Sequence, residues 1–218
     1  MGVLAKLKSN DPCVILRNLC FTLLQPYLEY CNIVWDTGKS VILNKLLVVQ
    51  NKVLRIITNS PWNTHAPPIF IKLNILTVFG INKLQTACFM YKVMNNLVPS
   101  FFVNMFTVNN AIHNYNIRQK NNLHITSYRT KVREHSVSIC GVNMWNDIPE
   151  ELKELRTCNQ FRLKCSVIFF VKTTLIRYSS FRNCSLLLTL YFIYFVFVFH
   201  FFLLILYAGV YVTLCNLM

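Results

Sequence analysis

Acidic residues are scarce in this sequence, and their scarcity limits the chemistry that it can support. The 218 residues include 8 Asp and Glu against 22 Lys and Arg, which gives a formal net charge of +14 with neutral histidines. No acidic residue lies between Asp36 and Glu134. Two-metal catalysis needs paired carboxylates, and the close acidic group from Asp147 to Glu154 is better explained as a helix start, where acids favour the helix dipole. We therefore predict no catalytic residue and no enzymatic activity.

The sequence also lacks the usual motifs for cofactors and metals. Its five glycines form neither the phosphate-binding pattern GxxxxGK[ST] nor the nucleophile pattern GxSxG. The nine cysteines contain no CxxC pair, and their odd number does not indicate a closed disulfide set. The five histidines, at 65, 113, 124, 135 and 200, have no spacing typical of a metal site. No cofactor and no metal is predicted, and the cysteines are interpreted as reduced, small apolar residues.

Cations are abundant, and their distribution predicts contact with polyanions. Three of them share one side of a strongly amphipathic helix, and five more follow in a polar segment interleaved with the aromatic rings of Tyr115 and Tyr128. These eight predicted site residues are Lys45, Lys52, Arg55, Arg118, Lys120, Arg129, Lys131 and Arg133. Cations bind phosphates, and rings stack on bases, so RNA or single-stranded DNA is the predicted partner. The alternative is that these are the solvated faces of a basic protein, since there is no signature of sequence-specific recognition.

The apolar periodicity predicts a mainly α fold. The clearest helix is "VILNKLLVVQNKVLRIIT", preceded by Ser40, whose predicted buried side includes Ile42 and Val49 and whose pattern is broken by Val48 and Gln50. Further helices are predicted after the cap at Asp11 and Pro12, after Thr77 and after Thr157. Another is predicted to open at Asp147, Pro149, Glu150 and Glu151, where acids favour the helix dipole. The segment 108–139 is predicted as loop with one or two short strands. The expected architecture is a small helical domain with this basic loop segment, followed by one hydrophobic C-terminal helix.

The last part of the chain is uncharged and strongly apolar. Asn183 to Met218 contains no Lys, Arg, Asp or Glu. As a helix, residues 186–208 would extend about 34 Å, enough for a hydrocarbon layer of about 30 Å. We therefore divide the chain into a basic helical region (1–170), a basic linker (171–185), a candidate transmembrane helix (186–208) and an apolar tail (209–218). Cations precede the span and none follows it, which predicts a membrane protein with a cytoplasmic N-terminal domain.

Seven segments, in this order, carry a resemblance to a known family. They are "GVLAKLK", "PYLEYCNIVW", "LLVVQNKVLRIIT", "LNILTVFGINKLQ", "FMYKVMNNLVPSFF", "YNIRQKNNL" and "MWNDIPEELK". Over about residues 2–168 the chain resembles the C-terminal part of reverse transcriptases from jockey-type, LINE-like non-LTR retrotransposons. The matching part follows the polymerase palm and is similar to the helical thumb, which would grip template and product.

The resemblance implies a specific origin and a limited function. The palm, with its Tyr-x-Asp-Asp type of box, lies outside the matching region, so no catalytic residue is carried over. Met1 begins inside the homologous region of the family. The apolar tail is rich in residues that AT-only codons can encode, as translated AT-rich flanking DNA would be. We therefore expect a truncated, non-catalytic remnant of an RNA-directed DNA polymerase, with at most nonspecific nucleic-acid binding. The alternative is a single-pass membrane protein with a basic cytoplasmic domain.

Overall fold

The computed structural model describes residues 13–35, 40–112 and 118–179. The chain divides into two units, Met1–Thr174 and Leu175–Met218, and all contacts given below lie within the first. The described helices of the chain are α1 (Cys13–Leu23), α2 (Gln25–Glu29), α3 (Asn32–Trp35), α4 (Ser40–Ile57), α5 (Ala66–Leu73), α6 (Val78–Met94), α7 (Ser100–Val103), α8 (Asn109–Ile112), α9 (Lys131–Glu134), α10 (Val137–Asp147), α11 (Glu150–Lys153) and α12 (Cys158–Ser179). The predicted mainly α fold is confirmed.

Helix α6 is the centre of the fold. It contacts α2, α3, α4, α7 and α10, and its buried residues face nearly every direction around its axis. The helix begins as the sequence predicts, because the Thr77 hydroxyl accepts a hydrogen bond from the Gly80 amide at 3.2 Å. A side chain from another helix completes this N-terminus. The Gln50 carboxamide accepts from the Val78 amide at 2.9 Å and donates to the Leu76 carbonyl at 2.8 Å.

The largest core cluster lies between α6, α10 and α12. The Phe161 ring stacks on Tyr91 with centroids 4.5 Å apart and lies 6.2 Å from Trp145. The Tyr91 hydroxyl donates to the Leu155 carbonyl, so its polar end is satisfied at the edge of the cluster. Helix α12 begins at the predicted cap, where the Thr157 hydroxyl accepts from the Gln160 amide at 3.3 Å. This cluster fixes α12 on α6.

A second cluster joins α1, α4 and α5. It contains Leu16 and Cys20 from α1, Leu54 from α4 and Phe70 from α5. Outside the apolar contact, the Arg17 guanidinium donates to the Leu73 carbonyl at 2.7 Å, which supplies a partner at the end of α5. The predicted cap at Asp11 and Pro12 lies outside the described residues.

Two predictions of local structure are correct in part. In the segment 108–139 the described residues contain no strand, and one isolated bridge joins Val108 to Leu123. Helices take much of this region, because Thr130 caps α9 and α10 follows on from Ser136. A helix start is also predicted at Asp147, Pro149, Glu150 and Glu151. It is confirmed at Glu150, where α11 begins with both glutamates in its first turn, whereas Asp147 is the last residue of α10. Pro149 separates that helix from α11.

The buried side of α4 is rotated from its predicted position. Gln50 is buried, whereas Ile42 and Val49 are exposed. The sequence pattern treats Gln50 as an interruption because an amide normally avoids the core. In the fold its two hydrogen bonds to α6 compensate its burial, and the buried side is centred on it.

The predicted membrane location requires a correction. Among the helices of the described ranges, none has both the length and the apolar character needed to cross a bilayer. Helix α12, the longest of them, carries Arg162, Lys164 and Lys172 within its length, and charged side chains are costly in hydrocarbon. The transmembrane helix and the membrane location are therefore withdrawn. The predicted span at 186–208 itself lies outside the described residues, and the other domain boundaries stay predictions.

Candidate nucleic-acid interface

A short polar loop carries the first pair of predicted site cations. Its two arms pair through backbone hydrogen bonds: the Asn110 amide donates to the Lys120 carbonyl at 3.0 Å, and the His124 amide donates to the Thr107 carbonyl at 2.8 Å. Arg118 and Lys120 are exposed on the second arm. Residues 113–117, which include Tyr115, lie outside the described residues.

Leu123 and Asn146 fasten this loop to α10. The Leu123 side chain is 2 % exposed and belongs to the largest core cluster. The Asn146 carboxamide bonds both backbone groups of Leu123, accepting from its amide at 3.0 Å and donating to its carbonyl at 3.0 Å. The Asn146 side chain therefore forms the paired backbone hydrogen bonds that an adjacent strand would otherwise form. These bonds hold the loop that carries Arg118 and Lys120 against α10.

Three further cations lie in the short helix α9 or just before it. Arg129, Lys131 and Arg133 are exposed, and α9 itself contacts α10. The Thr130 hydroxyl accepts from the Arg133 amide at 3.4 Å and caps this helix. Tyr128, 41 % exposed, precedes them directly. Both cationic segments are thus attached to the same helix.

The loop cations and the cations around α9 lie in a field that few acids neutralise. Glu150 pairs with Lys153 at 2.8 Å, and Glu29 pairs with Arg162 at 3.1 Å. Neither pair involves Arg118, Arg129, Lys131 or Arg133. Glu134 is the one acid in the segment 118–135, so an anion approaching this surface meets a net positive potential.

The three predicted cations of α4 belong to a different part of the fold. Lys45 and Lys52 are exposed on α4, which contacts α1, α5 and α6. Arg55 is half-buried, and its Nε donates to the Thr64 carbonyl at 2.9 Å. This bond gives Arg55 a structural role in holding the loop that follows α4, which the sequence pattern does not indicate.

The buried thiols have the properties of core residues. Burial, and to a smaller extent the neighbouring Cys158, raise the pKa of the Cys88 thiol to about 11. Burial raises the pKa of Cys165 to about 12 and also raises the pKa of Cys20. The reactive thiolate form is therefore rare in these three residues at neutral pH. Within the described ranges, no three His, Cys, Asp or Glu side chains are placed so that they could hold a metal ion.

Sequence reasoning missed Leu123 and Asn146, the two residues that position the loop. Leu123 is an isolated apolar residue in a polar segment, which is a weak signal of an anchor. Asn146 lies near the end of a helix that the sequence does not predict, so nothing in the pattern marks its partner. Comparisons with protein-family models, curated proteins and solved structures found no significant match.

Removal of the Asn146 amide is expected to release the loop. In Asn146→Ala the amide and carbonyl of Leu123 lose their partners, which costs about 1–3 kcal/mol for a partly buried group. We expect faster hydrogen exchange at the Leu123 amide and a lower free energy of unfolding. Asn143→Ala is the matched control, since Asn143 is exposed on the same helix. Equal effects of the two substitutions would contradict the role of Asn146.

Proposed function

We propose that this chain is a non-catalytic remnant of a retrotransposon reverse transcriptase, whose remaining activity is sequence-independent binding of single-stranded RNA or DNA. The resemblance over residues 2–168 supports the origin. The expected lack of catalysis follows because the matching part comes after the palm that would carry the catalytic residues. The observation that supports the activity is the surface beside α10, which we call the basic surface. It consists of Arg118, Lys120, Tyr128, Arg129, Lys131 and Arg133.

The chemistry of the basic surface suits a nucleic-acid backbone. Exposed guanidinium and ammonium groups bind phosphates and release the counterions condensed on the strand. The exposed ring of Tyr128 offers a face on which a base can stack, and stacking tolerates every base. Such contacts position a strand and do not distinguish its sequence. Because Leu123 and Asn146 hold the loop in place, the backbone that carries Arg118 and Lys120 needs little ordering on binding.

The decisive test measures binding of the full-length chain to labelled single strands. We expect the affinity for an oligo-dT of about 20 nucleotides, longer than a single binding site, to fall steeply between about 50 and 200 mM salt. Substitution of Arg129, Lys131 and Arg133 by alanine should weaken binding roughly tenfold or more and make the salt slope shallower by about 2, since each phosphate contact contributes about 0.7 on a single strand.

A charge-matched control separates the basic surface from the general positive charge. Lys72, Lys92 and Lys164 are exposed at other positions, and their replacement by alanine removes the same three charges. This control is expected to bind nearly as tightly as the unmodified chain. Equal weakening in both variants would show that the net charge alone attracts the strand. Extension of a primer by the purified chain would contradict the non-catalytic assignment.

A further inference from the structure

Helix α4 has an apolar face on its solvent side as well as on its buried side. Val41, Ile42, Val48 and Val49 are 57, 44, 52 and 38 % exposed. Together with the two exposed lysines they form one continuous surface, which we call the α4 stripe. It consists of Val41, Ile42, Lys45, Val48, Val49 and Lys52. This surface is independent of the proposed nucleic-acid binding.

The α4 stripe has the geometry of a helix-packing surface. At 100° per residue its six positions fall within an arc of about 120°, opposite the side centred on Gln50, and they extend about 16 Å along the axis. A solvated helix face normally carries polar residues. Instead, along this stripe Lys45 lies between two pairs of aliphatic side chains, and Lys52 follows the second pair. An exposed apolar patch with polar residues beside it is typical of a protein-binding site.

The charge of the α4 stripe restricts its partner. Neither α4 nor the three helices with which it makes most of its contacts, α1, α5 and α6, contains an acidic residue. Glu29 of α2, which shares a core cluster with Leu43 of α4, is paired with Arg162. The described ion pairs do not include Lys45 or Lys52. The acids that would complement these lysines must therefore come from the partner.

Two other occupants fit the α4 stripe less well. A nucleic-acid backbone would pair with the lysines and leave the four aliphatic side chains in water. A second copy of the chain, packed antiparallel across the stripe, would bring Lys45 of one copy against Lys52 of the other, and like charges in contact are unfavourable. An amphipathic helix with acids seven residues apart meets both requirements, because its apolar ridge covers the aliphatic residues and its acids face the lysines.

We propose that the α4 stripe is a docking surface for an acidic amphipathic helix of a partner protein. The apolar ridge of that helix packs on Val41, Ile42, Val48 and Val49. Its carboxylates, spaced one heptad apart, pair with Lys45 and Lys52. The lysines select an acidic partner, and the aliphatic residues supply the buried area.

The test uses a pair of labelled synthetic peptides and the full-length chain. Each peptide has about 20 residues, long enough to form a helix, and a leucine ridge; one carries Glu at two positions seven residues apart, and the other carries Lys there. We expect the Glu peptide to bind roughly tenfold or more tightly than the Lys peptide, because like charges across an interface are costly. The double variant K45E/K52E should reverse this preference. Val48→Ser, an exposed substitution expected to leave the helical circular dichroism unchanged, should weaken binding of the Glu peptide.

Each opposite result would overturn the proposal. Equal binding of the two peptides to the unmodified chain would show that the lysines do not select the partner. Binding unaffected by Val48→Ser would place the peptide elsewhere. Dimerisation in sedimentation experiments that Val48→Ser abolishes would assign the stripe to a second copy. A loss of oligo-dT binding in K45A/K52A, with peptide binding unchanged, would assign the lysines to nucleic acid.

Discussion

Replacement of Phe161 by alanine is expected to lower the free energy of unfolding by about 3–5 kcal/mol. The Phe161 side chain is 0 % exposed, and its ring contacts Tyr91 and Trp145 from two other helices. The substitution removes the transfer energy of the ring and leaves a cavity between α6, α10 and α12 that the rigid helices cannot close. Urea denaturation of the full-length chain, followed by circular dichroism and by tryptophan fluorescence, measures the loss.

Leu163 is the matched control for this experiment. It lies two residues away on α12 and is 68 % exposed, so Leu163→Ala keeps the helix propensity and removes no core contact. We expect its effect to stay within about 0.5 kcal/mol. Similar losses for Phe161→Ala and Leu163→Ala would mean that α12 does not pack on α6 through Phe161.

Replacement of Gln50 by leucine is expected to destabilise the fold by about 2–4 kcal/mol, although leucine is apolar and similar in size. Gln50 is 2 % exposed, and its carboxamide serves the Leu76 carbonyl and the Val78 amide. Leucine leaves both backbone groups without a partner at the N-terminus of α6, and each such group costs about 1–3 kcal/mol. Chemical denaturation of the variant measures the effect.

The variant Gln50→Glu tests how much the hydrogen bonds of this side chain contribute to stability, separately from its packing. A protonated glutamic acid can donate to the Leu76 carbonyl and accept from the Val78 amide, but a carboxylate cannot donate and is costly to bury. Burial therefore raises the folded pKa of this carboxyl above its unfolded value of about 4.3. The stability that the neutral form contributes is complete below the unfolded pKa and is lost as the pH rises through the folded pKa. A pH-independent stability for Gln50→Glu, relative to the unmodified chain, would contradict this role.

The cations of the basic surface and those of α4 have different roles in the fold, although they look alike in the sequence. Lys45, Lys52 and Arg55 share a helix side by spacing alone. In the fold, Arg55 holds the Thr64 carbonyl, and the two lysines stand among exposed aliphatic residues. The cations of the segment 118–133 instead lie on a loop and on a short helix beside α10. Spacing cannot separate these roles, because they depend on what each side chain touches.

Local patterns in the amino-acid sequence predict the class of fold and the position of several helix ends. The 3.6-residue period indicates the helices, and Thr77 and Thr157 mark their first turns with hydroxyls that accept from amides three residues ahead. These signals are local, since cap and period involve residues within one or two turns of each other.

Which polar residues are buried, and where the basic loop is held, depends on contacts between distant parts of the chain. In the sequence pattern Gln50 interrupts an apolar helix side, whereas in the fold it bonds backbone groups at the start of α6. Asn146 has no apparent partner in the local sequence, whereas in the fold it bonds Leu123. The Leu123 and Asn146 contact joins residues 23 apart, and the Gln50 contact to Val78 joins residues 28 apart. Such pairs form because a buried amide must find complementary groups, and those groups come from elements that local sequence patterns describe separately.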